Sequence, residues 1–316
     1  MSLIERAAKR LEELRRAGVE IPTHRIHGDA PDHTIESATS QKKGSSQADF
    51  FTADAVTVPP TRLDTTDASH TGTVRVELDL ARLAALGFVT PDMPRTRIAD
   101  EFRIVKRPLI ANASPAKSIP IKHGNLIMVT SSVPGEGKTF TAVNLAMSLA
   151  MELDQTVLLV DADVARPSLP NFLGLPPAKG LLDILDSKSV DLNHVLMRTS
   201  VNKLSILSSG NTHPHATELL ASAAMAKLLA EMSARYADRI IIFDSPPLLV
   251  TTEARVLATQ MGQIVFVVHA ESTLQSDVKR ALATIESCPI KMMMLNQART
   301  VGQGAHGYGY GYGYGT

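Results

Sequence analysis

The octapeptide Ser132-Val133-Pro134-Gly135-Glu136-Gly137-Lys138-Thr139 has the residue types and spacing of a loop that wraps phosphate groups. Gly135 and Gly137 let backbone N–H groups turn inward, and a helix N-terminus just beyond them adds positive partial charge. Lys138 is placed to reach the β- and γ-phosphates of a nucleotide, and the Thr139 hydroxyl to bind Mg²⁺. The strict pattern has glycine where Ser132 stands. Further along, Val157-Leu158-Leu159-Val160 ends in Asp161-Ala162-Asp163, and Ile240-Ile241-Ile242-Phe243 ends in Asp244-Ser245-Pro246-Pro247. Each apolar run delivers carboxylates at its C-terminal tip, the hard oxygen ligands that a Mg²⁺–phosphate site needs, directly or through water. Helix capping is the plainer use of such aspartates. Taken with the glycine loop, the segments form one consistent set, with Thr139, Asp161 and Asp244 as candidate metal ligands.

The chain ends Gly307-Tyr308-Gly309-Tyr310-Gly311-Tyr312-Gly313-Tyr314-Gly315-Thr316, which holds four of its five tyrosines. Glycine at every second position raises the entropic cost of regular structure, so a disordered tail with sterically open phenols is expected. From Val301 the tail could extend about 50 Å, at roughly 3.3 Å per residue, far enough to reach a neighbouring subunit. Its residues alone allow two uses, as phosphate acceptors or as aromatic stickers for self-association.

Positioning these groups requires strands and helices in alternation. Apolar strand candidates are Leu126–Thr130, Val157–Asp161, Leu204–Leu207, Ile240–Asp244, Ile264–Val268 and Met292–Leu295. Helical patterns lie at Thr141–Met151, Glu218–Tyr236, Thr252–Ala258 and Gln275–Ser287. This alternation predicts an α/β fold, a mainly parallel sheet with helices on both faces, with ligands bound at the carboxyl ends of the strands. Ahead of this core, Val76–Leu86 reads as a short strand or turn and then a helix, and Ile98–Leu109 as a helix stopped by Pro108.

The N-terminal part differs in kind. Leu3, Ile4, Ala7, Leu11 and Leu14 fall at helical spacing among charges, an amphipathic helix ending at Gly18. From about Thr23 to Thr71 the chain is rich in Ser, Thr, Asp, His, Gly and Pro without periodicity, as a flexible linker is. His24, His27 and His33 are scattered within it. The expected organisation is a helix over residues 1–18, a linker over 19–72, and a P-loop domain over 73–316 with its core at 99–298 and its tyrosine tail at 302–316. The formal net charge of zero argues against nucleic acid as a partner. A single cysteine, Cys288, fits a reducing compartment. No apolar run approaches the roughly 20 residues of a membrane span, so a cytoplasmic protein is expected.

The segments VTSSVPGEGKT, LLVDADVARP and IIIFDSPPLL resemble the Walker A, A′ and B blocks of bacterial tyrosine kinases. These are deviant P-loop ATPases, a class that also holds plasmid-partition and cell-division-site ATPases. Gly210–Leu220 resembles a further kinase block. The run IADEFRIVKRPLIANA is most similar to the cytoplasmic autokinases of exosortase-linked exopolysaccharide operons. The resemblance extends from about Ala99 to Gln297 and implies ATP and Mg²⁺ as cofactors. It implies catalytic roles for Lys138, Asp161, Asp163 and Asp244, with Asp161 orienting or deprotonating the incoming tyrosine and Asp163 behind the metal's direct ligands. Ser132, Pro134, Gly135, Glu136, Gly137, Lys138, Thr139 and Phe140 would line the nucleotide, with Asn296 at the adenine.

The tail phenols Tyr308, Tyr310, Tyr312 and Tyr314 would be the phosphoacceptors. Asp100, Arg103 and Lys106 occupy the places of a Glu-x-x-Arg-x-x-Arg helix that packs such kinases into a ring when unphosphorylated, although Asp is shorter and Lys lacks the bidentate fork. Ala165 stands where the A′ block often has arginine, and Arg166 follows it. The implied partner is a membrane-bound polysaccharide co-polymerase that activates the kinase and holds it at the inner membrane, with Ser2–Ala17 as a docking element. The alternatives are a partitioning or positioning ATPase that hydrolyses ATP without tyrosine phosphorylation, and a nucleotide-binding regulator whose tail is only an interaction module.

Overall fold

Strands buried along their whole length need cover on both faces, and the apolar runs of this chain form such strands. The computed structural model describes residues 74–114, 119–187, 189–235 and 238–298. The Ser2–Ala17 segment, the linker with His24, His27 and His33, and the tail with Tyr308, Tyr310, Tyr312 and Tyr314 lie outside the described residues. The chain divides into units Met1–Asp64 and Thr65–Thr316, and the described residues all belong to the second.

The strands of this second unit are β1 (Val74–Val76), β2 (Leu126–Ser131), β3 (Thr156–Asp161), β4 (Met197–Thr199), β5 (Leu204–Leu207), β6 (Arg239–Asp244), β7 (Gln263–His269) and β8 (Ile290–Asn296). They form one sheet in the order β1-β4-β5-β3-β6-β2-β7-β8, parallel throughout except between β4 and β5. β2 is buried at every position, as are β3 and β6 after their first residues. The edge strand β8 alternates half-buried with more exposed residues, the period-2 pattern of a strand covered on one face only.

The helices are α1 (Leu80–Ala85), α2 (Arg97–Ala113), α3 (Lys138–Ala150), α4 (Leu169–Leu173), α5 (Leu181–Asp186), α6 (Leu192–Val195), α7 (Ala216–Leu220), α8 (Ala223–Arg235), α9 (Thr252–Ala258) and α10 (Gln275–Ala283). Strand side chains divide by alternation between two cores. Ile127, Val129, Val157, Leu159, Ile240 and Ile242 pack with Phe102 and Leu109 of α2 and Leu145 and Leu149 of α3. Leu126, Met128, Leu158, Val160, Ile241 and Phe243 pack with Leu181, Met225, Leu229, Leu257 and Ala281 from α5, α8, α9 and α10.

Several element boundaries depart from the sequence pattern, among them the last helix, which ends at Ala283 rather than Ser287. Pro108 lies inside α2 rather than stopping it, and the helix runs on to Ala113. The N–H that proline lacks would have met the carbonyl of Ile104, and both residues face solvent, with Ile104 76% exposed, so water can hydrate the freed carbonyl. The pattern over Glu218–Tyr236 resolves into α7 and α8, because the Ser222 hydroxyl accepts the Met225 N–H at 3.2 Å and starts a new helix. Helix α3 begins at Lys138 instead of Thr141, with Gly137 in a left-handed conformation at its N-cap. That earlier start places the amides of its first turn at the phosphate loop.

Candidate functional site

The loop between β2 and α3 supplies the first half of the site. Gly135 and Gly137 have φ of 85° and 94°, values that side chains rarely adopt. A Cβ on Gly137 would in addition lie 2.0 Å from Nδ2 of Asn296, so a side chain there would push Asn296 off the Glu136 carbonyl. Pro134 and Gly135 form the exposed crest of the loop, whereas Ser132 and Glu136 are buried beneath it. The Ser132 carbonyl accepts the Leu249 N–H at 3.2 Å, and the Ser131 carbonyl that of Leu248 at 2.9 Å. The Thr130 hydroxyl donates to the Pro246 carbonyl at 2.8 Å. These bonds fasten the segment after β6 to the phosphate loop. Lys138 is buried at the first turn of α3, and the Thr139 hydroxyl meets that of Ser168 at 2.7 Å. The Phe140 ring packs against Phe88, with centroids 4.9 Å apart, on the apolar side of α3.

The second half comes from two adjacent strand ends. β3 and β6 pair in register, so Asp161 and Asp244 are Cα partners, and the Asp244 carbonyl accepts the Ala162 N–H at 2.8 Å. Both carboxylates are fully buried, and among the described residues no group closes a hydrogen bond to any of their oxygens. Buried ionised oxygens left this way are costly, so the arrangement needs protons, a cation, or both. Burial first, then the neighbouring Asp244 and Asp163 carboxylates, push Asp161 up to about 8, while the Asp163 and Leu169 amides pull the other way without closing a bond. Burial pushes Asp244 up to about 7, against the pull of the Thr139 hydroxyl and the Lys138 ammonium. Asp163 is half-buried and accepts the Arg166 N–H at 3.3 Å. Burial raises its pKa, Lys138 lowers it, and Glu253 adds a smaller rise.

A divalent cation fits this donor set. Asp161 and Asp244 supply orphaned hard oxygens, and Thr139 supplies a hydroxyl beside Asp244. Among the described residues no group of three or more His, Cys, Asp or Glu could hold a metal by itself. The remaining ligands would therefore be phosphate oxygens and water, which suits the way Mg²⁺ is usually held. Glu253, 8% exposed on α9, is a further carboxylate at this site that the sequence pattern did not single out, since an acid in a first helical turn is ordinarily a solvated cap.

Asn296, at the end of β8, donates from Nδ2 to the Glu136 carbonyl at 2.9 Å. The structure thus brings Ser132, Glu136, Gly137, Lys138, Thr139, Asp161, Asp163, Asp244 and Asn296 to one end of the sheet. Asp100, Arg103 and Lys106 behave differently from one another. Asp100 and Arg103 form an exposed ion pair on α2. Lys106 is 3% exposed and turned inward, donating to the Ser148 carbonyl at 2.6 Å and pairing with Glu152 at 2.8 Å. Only the first two present charge to the surface. Among the described residues, no helix is long and apolar enough to cross a membrane.

The profile of the ParA family, described as NUBPL iron-transfer P-loop NTPase, matches residues 122–298. Tyrosine-protein kinase YwqD of Bacillus subtilis is 33% identical over 167 residues, which are 53% of this chain and 69% of that protein. Tyrosine-protein kinase ptk of Acinetobacter johnsonii is also 33% identical, over 170 residues, but these are 54% of this chain and only 23% of that longer protein. Among solved structures, the kinase domain of the Escherichia coli tyrosine kinase ETK superposes with a TM-score of 0.57 at 26% identity, covering 70% of this chain and 86% of that domain.

Proposed function

This chain belongs to the bacterial tyrosine-protein kinases, with a ParA-type P-loop NTPase fold, and we propose that it is an autokinase that moves the γ-phosphate of ATP to its own C-terminal tyrosines. The observation that carries the reading is the pair of buried, unpartnered carboxylates, Asp161 and Asp244, set against the lysine-bearing phosphate loop. Phosphoryl transfer passes through a loose transition state, so the protein's task is positioning and charge neutralisation. Lys138 and the loop amides hold the phosphates. Thr139 and Asp244, with Asp161 beside them, would hold Mg²⁺, which would supply charge neutralisation for the phosphates. Asp161, once ionised by the charge of a bound cation, would orient or take the proton of an incoming phenol whose own pKa is near 10. Asp163 and Glu253 keep the surroundings acidic and favour retention of the cation. Asn296 braces the loop and would in addition contact the adenine.

The acceptors are Tyr308, Tyr310, Tyr312 and Tyr314, whose glycine neighbours leave them open to an active site. Each phosphate adds about −1.5 to −2 charges, so modified tails repel and loosen an oligomer assembled in the unphosphorylated state. In that assembly Asp100 and Arg103 are the α2 residues that contact a neighbour. The partner is a membrane-bound polysaccharide co-polymerase that activates the kinase at the inner membrane, with Ser2–Ala17 as the docking segment, and the process regulated is exopolysaccharide synthesis and export.

The test uses the full chain incubated with Mg²⁺-ATP, its tail mapped by mass spectrometry, beside Lys138→Ala and a variant with all four tail tyrosines changed to Phe. Phosphotyrosine is expected in the wild type and absent from both variants. ATP hydrolysis without phosphotyrosine, even with a membrane partner present, would replace this reading with that of a positioning ATPase.

A further inference from the structure

Glu136 places a carboxylate inside a loop whose purpose is to hold anions. The side chain is 2% exposed and folds back beneath the loop. Its Oε2 accepts the Val133 N–H at 2.7 Å, and its Oε1 is bonded by the hydroxyl of Thr273. Thr273 lies between β7 and α10, and its oxygen in turn accepts the His269 N–H at 3.1 Å. The Glu136 carbonyl is separately held by Asn296, whose own carbonyl accepts the Ala270 N–H at 2.9 Å. Both ends of Glu136 are therefore tied to the β7–β8 side of the site.

We infer that Thr273 is a positioning residue for the phosphate loop: its hydroxyl keeps the Glu136 carboxylate turned away from the bound phosphates. The inference rests on the reading of residues 132–139 as a nucleotide site. A buried carboxylate that loses one of its hydrogen bonds turns to the nearest donors. Here the donors that the loop offers are its amides, of which that of Val133 already bonds this carboxylate, and amides of the loop are the groups that the phosphates require. Removal of the Thr273 hydroxyl thus sets an internal anion in competition with the nucleotide. Serine keeps the hydroxyl and the function.

Titration of the full chain with a fluorescent ATP analogue and Mg²⁺ tests this. Thr273→Val is expected to weaken binding roughly tenfold, as an unsatisfied buried acceptor would, and Thr273→Ser to stay within about twofold of wild type. The informative variant is Thr273→Val combined with Glu136→Ala. With no carboxylate left to misdirect, it binds more tightly than Thr273→Val alone, a non-additivity that a general loss of packing does not produce. Thermal unfolding without nucleotide verifies that each variant is folded, and Thr273→Ala replaces the valine variant should that one not fold. Wild-type affinity in Thr273→Val, or a double variant that loses the sum of the two single effects, would overturn the inference. A wild-type chain that fails to bind ATP defeats the nucleotide-site reading itself. One that binds ATP but forms no phosphotyrosine defeats only the kinase proposal and leaves Thr273 testable.

Discussion

Asp161 and Asp244 show how the environment of a residue gives it a property its type lacks. Both carboxyls are raised from 3.8, to about 8 and about 7, so the folded chain retains protons that the unfolded chain has released. The sign comes from linkage: the contribution to stability is intact below the unfolded value and is lost as pH rises through the folded one. In a chelator, the thermal midpoint is expected to fall as pH is raised from about 4 to about 8, and Mg²⁺-ATP to oppose the fall by binding the ionised pair. Asp244→Asn removes the burden of ionisation, so at the alkaline end it should raise the nucleotide-free midpoint by about 3 °C or more while abolishing phosphotransfer. Calorimetry across the window decides the matter; a midpoint that rises with pH contradicts the protonated pair. These aspartates were legible in the sequence because each ends an apolar run. Glu253 and Thr273 were not, since nothing in their local sequence marks them as facing the phosphate loop.

Helix α2 is where a local pattern and its packing part company. Asp100, Arg103 and Lys106 recur along it at a spacing of three, yet the first two are solvated and the third anchors the helix to α3. Lys106→Ala should cost about 2 kcal/mol in urea unfolding, because it leaves the Glu152 carboxylate with only the exposed Arg107 at 3.4 Å and removes the side-chain donor of the Ser148 carbonyl. Asp100→Ala, which breaks only an exposed pair, should cost under about 1 kcal/mol. Equal losses would mean that Lys106 is not the anchor. Arg103→Ala should instead leave stability nearly unchanged and reduce self-association. At the other end of α3, Gly137→Ala combines a left-handed backbone with a collision against Asn296, so ATP binding should be lost by titration even where the fold survives.

At the scale of the whole molecule, the parallel sheet gathers the chemistry because its central strands all end on the same side. β2, β3 and β6 are neighbours, and so the phosphate loop, Asp161 and Asp244 meet although they are far apart in the chain. The assembly proposal belongs to this scale as well. Light scattering of dephosphorylated protein with Mg²⁺-ATP should show an oligomer that dissociates as the tail tyrosines are modified. A monomer under those conditions would remove the ring from the mechanism.

The sequence by itself determined the strand candidates, the phosphate loop, the acidic strand ends and the run of tail tyrosines. Each of these depends on contiguous residues: an apolar run, glycines in a turn, a carboxylate at the end of a strand. Tertiary structure alone decided that β3 lies beside β6 with Asp161 opposite Asp244, that Lys106 points inward, and that Thr273 reaches Glu136 across 137 residues of chain. Those contacts depend on strand order, register and packing between distant elements, and no short stretch of sequence encodes any of the three.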